Sequence, residues 1–203
     1  MRKIDSSNLP HILIRPAAIL LNLLHLRVLI KADRVLLFDV YGSKTSYSQS
    51  AFMYDLQGRL KQKQIPGAGG LPYEFRALEA VLMSVTSVLE VDFANVQDPV
   101  LHILGELEKD ITRDRLRLLL TLSKKVSTFE QRVKLVRDAI EELLEADDDL
   151  ASMYLTEKRH DLYRGDDDHT EVEMLLESYH KICDEVAQEA SNLVSSIRTT
   201  EEM

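Results

Sequence analysis

Proline and glycine, the residues that most often end helices and form turns, are almost missing from the larger part of this chain. From residue 71 to the end, the sequence holds only Pro72, Pro99, Gly105 and Gly165. A stretch of this length with so few turn residues indicates a few long helices rather than many short elements.

The segment GGLPYEFRALEAVL, residues 69–82, has the features of a helix start. Pro72 suits the first helical position, where its missing N–H is no loss. Glu74 falls in the first turn, where a carboxylate favours the positive end of the helix dipole. Apolar residues then repeat at helical spacing as far as Leu89. The segment therefore predicts the beginning of a long amphipathic helix.

The same apolar repeat predicts three helical stretches, at about 71–110, 112–158 and 171–203. Pro99 lies inside the first stretch, so we expect that helix to bend or break near 97–99.

The last stretch carries one apolar stripe at steps of three, four and seven residues, formed by Val172, Leu175, Tyr179, Ile182, Val186, Leu193 and Ile197. It ends in Thr-Thr-Glu-Glu-Met, without a glycine, asparagine or proline cap. We therefore expect a truncated chain whose last helix continues in the complete protein.

The N-terminal part has patterns typical of β-strands. Two short strands are predicted within 12–22, separated at Arg15–Pro16, and the apolar run 35–40 is typical of a buried strand. Residues 23–30 fit either a strand or a short helix. Residues 47–64 are predicted to be helical, and IPGAGG that follows is predicted to be a linker.

The predicted fold class is therefore α+β. A small antiparallel or mixed sheet region at 1–66 precedes a bundle of long helices at 71–203, which ends in the uncapped stalk helix 171–203. We expect the two regions to form one structural domain of 203 residues.

Composition excludes several classes of protein. The net charge is −9 with a pI near 5.2, which argues against a nucleic-acid binder and leaves cations as possible ligands. The apolar stretch 11–30 is interrupted by charged residues and by Pro16, so we expect a core segment rather than a membrane span. Cys183 is the single cysteine and cannot form an internal disulfide, so we expect it to be structural.

No catalytic motif is present, so we expect no enzyme activity. His160 and His169 flank an acidic stretch but lack the spacing of a helical zinc site, and we expect both to be solvated loop residues. The runs 147–149, predicted within a helix, and 166–168, predicted in a connector, match no EF-hand. Such runs are usually solvated, but hydrated Mg²⁺ needs only one or two carboxylates.

Five segments together carry a family resemblance. They are LPYEFRALEAVL at 71–82, VLLFD at 35–39, EELLEADDDLASMYLTEK at 141–158, EVEMLLESYHKICDE at 171–185 and the apolar segment 21–30. In this order they resemble the eukaryotic mitochondrial inner-membrane magnesium transporters, in their fungal branch, which are relatives of the bacterial CorA channels.

The resemblance implies a homopentameric magnesium channel with a soluble domain on the matrix side of the inner membrane. It implies that the last helix continues into a membrane helix that lines the pore, and that the membrane is reached only through these missing C-terminal segments. The chain would then be the soluble domain alone, with magnesium ions and further copies of itself as partners. Whether the isolated chain is a monomer or a lower oligomer stays open.

Helical geometry places three carboxylates of the last helix on one side. At 100° per residue, Glu173, Glu177 and Asp184 lie within roughly 40° of one another and opposite the apolar stripe. With the family context, we expect this face to bind weak regulatory Mg²⁺ near a contact between subunits and to close the channel by negative feedback. The alternative is a purely structural helical assembly module without ion sensing.

Overall fold

A four-stranded sheet packs against long helices in the computed structural model, which describes residues 9–38, 46–61 and 70–202. The strands are β1 (His11–Arg15), β2 (Ala18–Leu23), β3 (Leu26–Ile30) and β4 (Val35–Leu37), in the spatial order β1-β2-β3-β4. All neighbouring pairs are antiparallel. The predicted α+β class with an N-terminal sheet is therefore confirmed, and the sheet is antiparallel rather than mixed.

Alternation of side chains decides the open question about residues 23–30. Every second residue of β2 and β3 is buried: Ile19, Leu21, Leu23, Leu26, Val28 and Ile30. This period of two puts all six side chains on the core face of the sheet. Residues 26–30 therefore form a strand, joined to β2 by a two-residue turn at Leu24 and His25.

The helix α1 (Ser46–Lys61) packs on the first long helix through Phe52 and Leu56. The predicted helix end at 62–64, residues 65–69 of the predicted linker 65–70 and strand residues 39–40 lie outside the described residues.

The helix α2 (Tyr73–Lys109) runs through Pro99 as one helix, so the predicted break is wrong, while the alternative, a bend near 97–99, stays a prediction. A proline inside a helix costs about 3 kcal/mol. Beyond it, Val100, Ile103 and Leu107 continue the buried face. Burying them contributes roughly 1.5–3 kcal/mol each, enough to offset the proline.

The helix α3 (Arg113–Leu144) ends earlier than predicted, because the segment 145–158 folds into α4 (Asp147–Ser152) and α5 (Leu155–Arg159). The run 147–149 is helical, as predicted, but it forms the first turn of the separate helix α4 rather than the interior of a longer helix. Aspartate suits a helix start better than a helix interior. The bend after α3 also buries Leu150, Met153 and Leu155.

The last helix, α6 (Thr170–Glu201), confirms the predicted stretch over the described residues. It packs against α2 and α3. The buried stripe is turned slightly from the predicted one: Leu176 and Cys183 are buried, whereas Leu175 and Ile182 are only half-buried. One apolar core is shared by the sheet and all three long helices.

Candidate functional site

The side of α6 opposite its buried stripe carries the three carboxylates predicted to bind magnesium. Glu177 is exposed, and its side chain makes no hydrogen bond or ion pair with any residue that the structure describes. Its charge therefore faces solvent without a protein partner in the described ranges.

Asp184 and Glu173 flank Glu177 but are held by other side chains. Asp184 Oδ1 accepts a hydrogen bond from Arg137 of α3 at 3.3 Å, and its Oδ2 accepts one from Gln188 at 3.0 Å. Glu173 Oε2 lies 3.1 Å from Nδ1 of His169. The fold thus keeps the three residues on one helix face and places a basic side chain beside each of the outer two.

This face of α6 does not supply enough converging ligands from one chain to coordinate a metal ion directly. Within residues 9–38, 46–61 and 70–202, no three His, Cys, Asp or Glu side chains converge on a point where they could hold an ion. Hydrated Mg²⁺ needs fewer protein ligands, since it keeps several of its waters and is held by one or two carboxylates. Glu177 fits that chemistry, and Asp184 retains part of its acceptor capacity.

His169 is not the solvated loop residue that the sequence predicted. It precedes α6, is 7% exposed, and its Nε2 lies 2.9 Å from Asp147 Oδ1 at the start of α4. Burial alone would lower the pKa of His169, but the hydrogen bond to Asp147 and the charge of Glu173 outweigh it and raise that pKa. His169 therefore joins the beginnings of α4 and α6. His160 is exposed, as predicted.

A second group of side chains anchors the start of α6 to α2. Tyr154 stacks edge-on against Phe75, with ring centroids 4.9 Å apart, and its hydroxyl donates to Glu171 Oε2 at 2.8 Å. The backbone N–H of Val172 donates to the same hydroxyl at 3.4 Å. Burial and the hydrogen bond to Glu171 raise the pKa of Tyr154 to about 12, so it stays a neutral donor.

Arg164 holds the connector between α5 and α6 in this group. Its guanidinium lies 3.8 Å from the Tyr154 ring centroid and binds Glu157 through Nε at 2.8 Å and Nη2 at 3.2 Å. Its Nη1 donates to Glu171 at 3.0 Å. Sequence reasoning treated this connector only as charged and missed Arg164. The sequence signal that could have identified Arg164 is its position seven residues after Glu157 and seven residues before Glu171.

Glu74 does more than favour the dipole of its own helix. It is fully buried, and its carboxylate accepts hydrogen bonds from the Thr156 backbone N–H at 3.0 Å and from the Thr156 hydroxyl at 2.5 Å. Thr156 lies in the first turn of α5. Glu74 therefore serves the N-terminal ends of two helices that are 82 residues apart in sequence.

Further along α6, two residues attach it to the core. Tyr179 donates its hydroxyl hydrogen to Glu79 of α2 at 3.2 Å, and burial and Glu79 raise the pKa of Tyr179 to about 12. Burial also raises the pKa of Cys183 to about 12, so the thiol is unreactive, in agreement with the predicted structural role.

The segments that meet at this junction are those that carry the family resemblance. A family model described as "Magnesium transporter MRS2-like" matches residues 1–203. The chain belongs to the MRS2-like family of magnesium transporters. The resemblance noted from the sequence is therefore confirmed.

Several curated relatives of this family are highly similar over the whole chain. The mitochondrial inner membrane magnesium transporter MRS2 of Gibberella zeae is 79% identical over 203 residues, covering 100% of this chain and 38% of that protein. The mrs2 proteins of Neurospora crassa and Schizosaccharomyces pombe are 81% and 51% identical, with 37% and 49% of their lengths covered. The expected mitochondrial inner-membrane location agrees with these names, and all three are named as transporters rather than enzymes.

The fold also resembles that of a solved structure. The CorA magnesium transporter from Methanocaldococcus jannaschii superposes with a TM-score of 0.61 at 13% identity, covering 98% of this chain and 58% of that chain. This likeness concerns the fold. The chain spans less than half the length of the three curated MRS2 relatives named above. Among the described helices, none has a long enough apolar run to cross a bilayer.

Proposed function

We propose that this chain is the matrix-facing regulatory domain of a mitochondrial magnesium transporter, and that it senses Mg²⁺ and closes the pore by negative feedback. Membership of the MRS2-like family supports the link to magnesium transport. The names of the relatives support the inner membrane as its location.

The observation that carries the regulatory part is the exposed, unpartnered carboxylate of Glu177 on the outer face of α6. An uncompensated carboxylate attracts divalent cations, and hydrated Mg²⁺ is bound by such oxygens through its own water. Glu173 and Asp184 add negative potential on either side, although His169 and Arg137 compensate part of it. The site is weak and suits concentrations in the millimolar range.

Bound Mg²⁺ acts by changing the repulsion between acidic faces of neighbouring subunits. With the ion absent, Glu177 side chains on adjacent copies repel one another; with it bound, the charges are screened and the subunits approach. The ion shifts the channel only by its higher affinity for the closed state. In this proposal α6 leads to the pore. The contacts around Tyr154 and Glu74 hold the region at the start of α6, so that a displacement of its acidic face is transmitted to the pore.

Assembly into a homopentamer is part of the same proposal. Leu116 and Leu120 are 41% and 53% exposed one turn apart on α3, and Ile111 just before the helix is 66% exposed. Exposed apolar side chains in such proximity are typical of surfaces that contact another chain. They support a subunit contact on this side of the molecule.

The second candidate is a structural assembly module that does not sense ions. The ion pair of Asp184 with Arg137 favours it, because it gives Asp184 a role in holding α6 to α3; the ion pair of Glu173 with His169, which forms when His169 is protonated, is local to the start of α6. The two candidates differ in the role of Glu177, which contributes to neither ion pair.

Magnesium uptake through the complete transporter distinguishes the two candidates. Glu177→Ala and Glu177→Lys should weaken the inhibition of uptake at high matrix Mg²⁺, with Lys having the larger effect because it reverses the charge. Glu189→Ala is the matched control, since Glu189 is exposed on α6 but lies well away from the Glu177 side. Equal inhibition of the unmodified transporter and of the Glu177→Ala, Glu177→Lys and Glu189→Ala variants would favour the assembly module.

A further inference from the structure

A cleft at one end of the sheet has a charge opposite to that of the whole protein. Its volume is about 680 Å³, within the range of small-molecule sites. Five cationic side chains and only one carboxylate, Asp33, line it among the described residues; the cations are Arg15, Lys31, Arg34, Lys158 and Arg159. The chain as a whole carries a net charge of −9, so this local excess of positive charge requires a specific arrangement of the fold.

Three separate parts of the chain bring these cations together. Arg15 ends β1 beside the β1–β2 turn, and Lys31 and Arg34 belong to the β3–β4 turn, which is closed by a 2.8 Å bond from Lys31 N–H to Arg34 O. Lys158 and Arg159 end α5. Basic residues at a helix C-terminus favour its dipole, but that accounts only for the α5 pair and not for the two turns opposite it.

The acidic groups nearby compensate only part of this charge, since Asp149 interacts electrostatically with Arg15 but does not line the cleft. Asp33 is shared by Arg34 at 3.7 Å and Arg159 at 3.9 Å, both with more than half of their side chains exposed. Exposed ion pairs at such distances contribute little. The side chain of Lys31 has no hydrogen bond or ion pair within the described ranges.

One of the cations is fixed in the wall of the cleft. Lys158 Nζ donates to Pro16 O at 3.1 Å and to Ser152 Oγ at 2.6 Å, neither of which carries a charge. Burial lowers the pKa of Lys158, because no carboxylate offsets the loss of water around its ammonium group. An anion in the cleft would supply that missing counter-charge.

We propose that this cleft binds a ligand with clustered phosphate groups, such as a di- or triphosphate. Arginine and lysine are the side chains that best recognise phosphate oxygens, and cations on several sides suit a ligand with more than one phosphate. Tyr163, which is 73% exposed at the rim of the cleft, offers an aromatic face for a planar base attached to the phosphates. This site is separate from the acidic face of α6 and does not depend on the magnesium proposal.

Calorimetric titration of this chain with tripolyphosphate, in low-salt buffer without divalent cations, tests the proposal. The test variant replaces Lys31, Arg34 and Arg159 with alanine, leaving the structural Lys158 in place. The control variant removes the same charge at Arg113, Arg117 and Lys181, which are exposed and do not line the cleft. Thermal unfolding of both variants checks that they are folded.

The proposal predicts saturable binding that weakens at least about tenfold in the test variant, equivalent to about 1.4 kcal/mol, and less than about twofold in the control. Tyr163→Ala should weaken binding of ATP while leaving tripolyphosphate unaffected. Sedimentation with phosphatidylcholine vesicles, with and without phosphatidylglycerol, identifies whether a lipid headgroup can be the source of the phosphate. Absence of binding to both tripolyphosphate and phosphatidylglycerol vesicles, or equal losses in the two triple variants, would overturn it.

Discussion

Glu74 offers a direct test of how α5 is held to α2. Replacing it with alanine removes the acceptor of two hydrogen bonds from Thr156; Glu74 itself has no exposed surface, and Thr156 is half-buried. Leaving the N–H and hydroxyl of Thr156 unsatisfied costs about 1–3 kcal/mol, and the lost methylene adds about 0.8 kcal/mol. We therefore expect Glu74→Ala to lower the free energy of unfolding by about 3 kcal/mol. In a domain of this size that is a fall of about 6–12 °C in Tm.

Asp114→Ala is the control, because Asp114 also lies in the first turn of a long helix but is exposed. Its loss removes a helix-dipole interaction worth about 0.3–1 kcal/mol. Urea unfolding of both variants and of Thr156→Val, with the double variant Glu74→Ala/Thr156→Val, measures the coupling between Glu74 and Thr156. A Glu74→Ala cost no larger than that of Asp114→Ala, or strict additivity with Thr156→Val, would refute the proposed link between α2 and α5.

Three further predictions concern pH, a turn and cooperativity. The raised pKa of His169 contributes stability that is fully present below about pH 6.5 and lost as pH rises through the folded-state value. Urea unfolding of His169→Gln should therefore lack that alkaline loss. Asp161 lies in the turn after α5 with a φ of 58°, in the left-handed region that favours glycine. The free energy of unfolding should therefore be about 0.5 kcal/mol higher for Asp161→Gly than for Asp161→Asn. Calorimetry should show one unfolding transition for the sheet and helices together; two separate transitions would argue against a single structural domain.

Most of the architecture was predictable because it depends on local periodicity. The alternation of β2 and the stripe of α6 both survive in the structure, since a strand or helix must turn its apolar residues towards one core. The first-turn position of Glu74 was likewise visible in the sequence.

The errors arose where packing between distant segments decides the outcome. Pro99 signals a helix break, but burial of residues beyond it keeps α2 intact. Nothing between Leu144 and Leu155 is a strong helix breaker, yet the chain bends there to bury residues of α4 and α5.

The partners of the candidate site also required the tertiary structure. Asp184 and Glu173 share a helix face with Glu177, as helical geometry predicts, but Arg137 is 47 residues away from Asp184 in sequence. His169 looked like a loop residue because its neighbours are acidic, whereas its ring is buried and its Nε2 lies against Asp147, 22 residues away in sequence. Sequence spacing identified the face but could not show which of its charges were already compensated.

Thermal unfolding of this chain during a magnesium titration, at constant ionic strength, tests the central claim most directly. The sensing role predicts that millimolar Mg²⁺ raises Tm more than an equivalent concentration of monovalent salt does. It also predicts that the triple variant Glu173→Ala/Glu177→Ala/Asp184→Ala loses this magnesium-specific rise, whereas Glu189→Ala retains it. A magnesium response that is unchanged in the triple variant, or absent from the unmodified chain, would contradict the claim that this face of α6 senses magnesium.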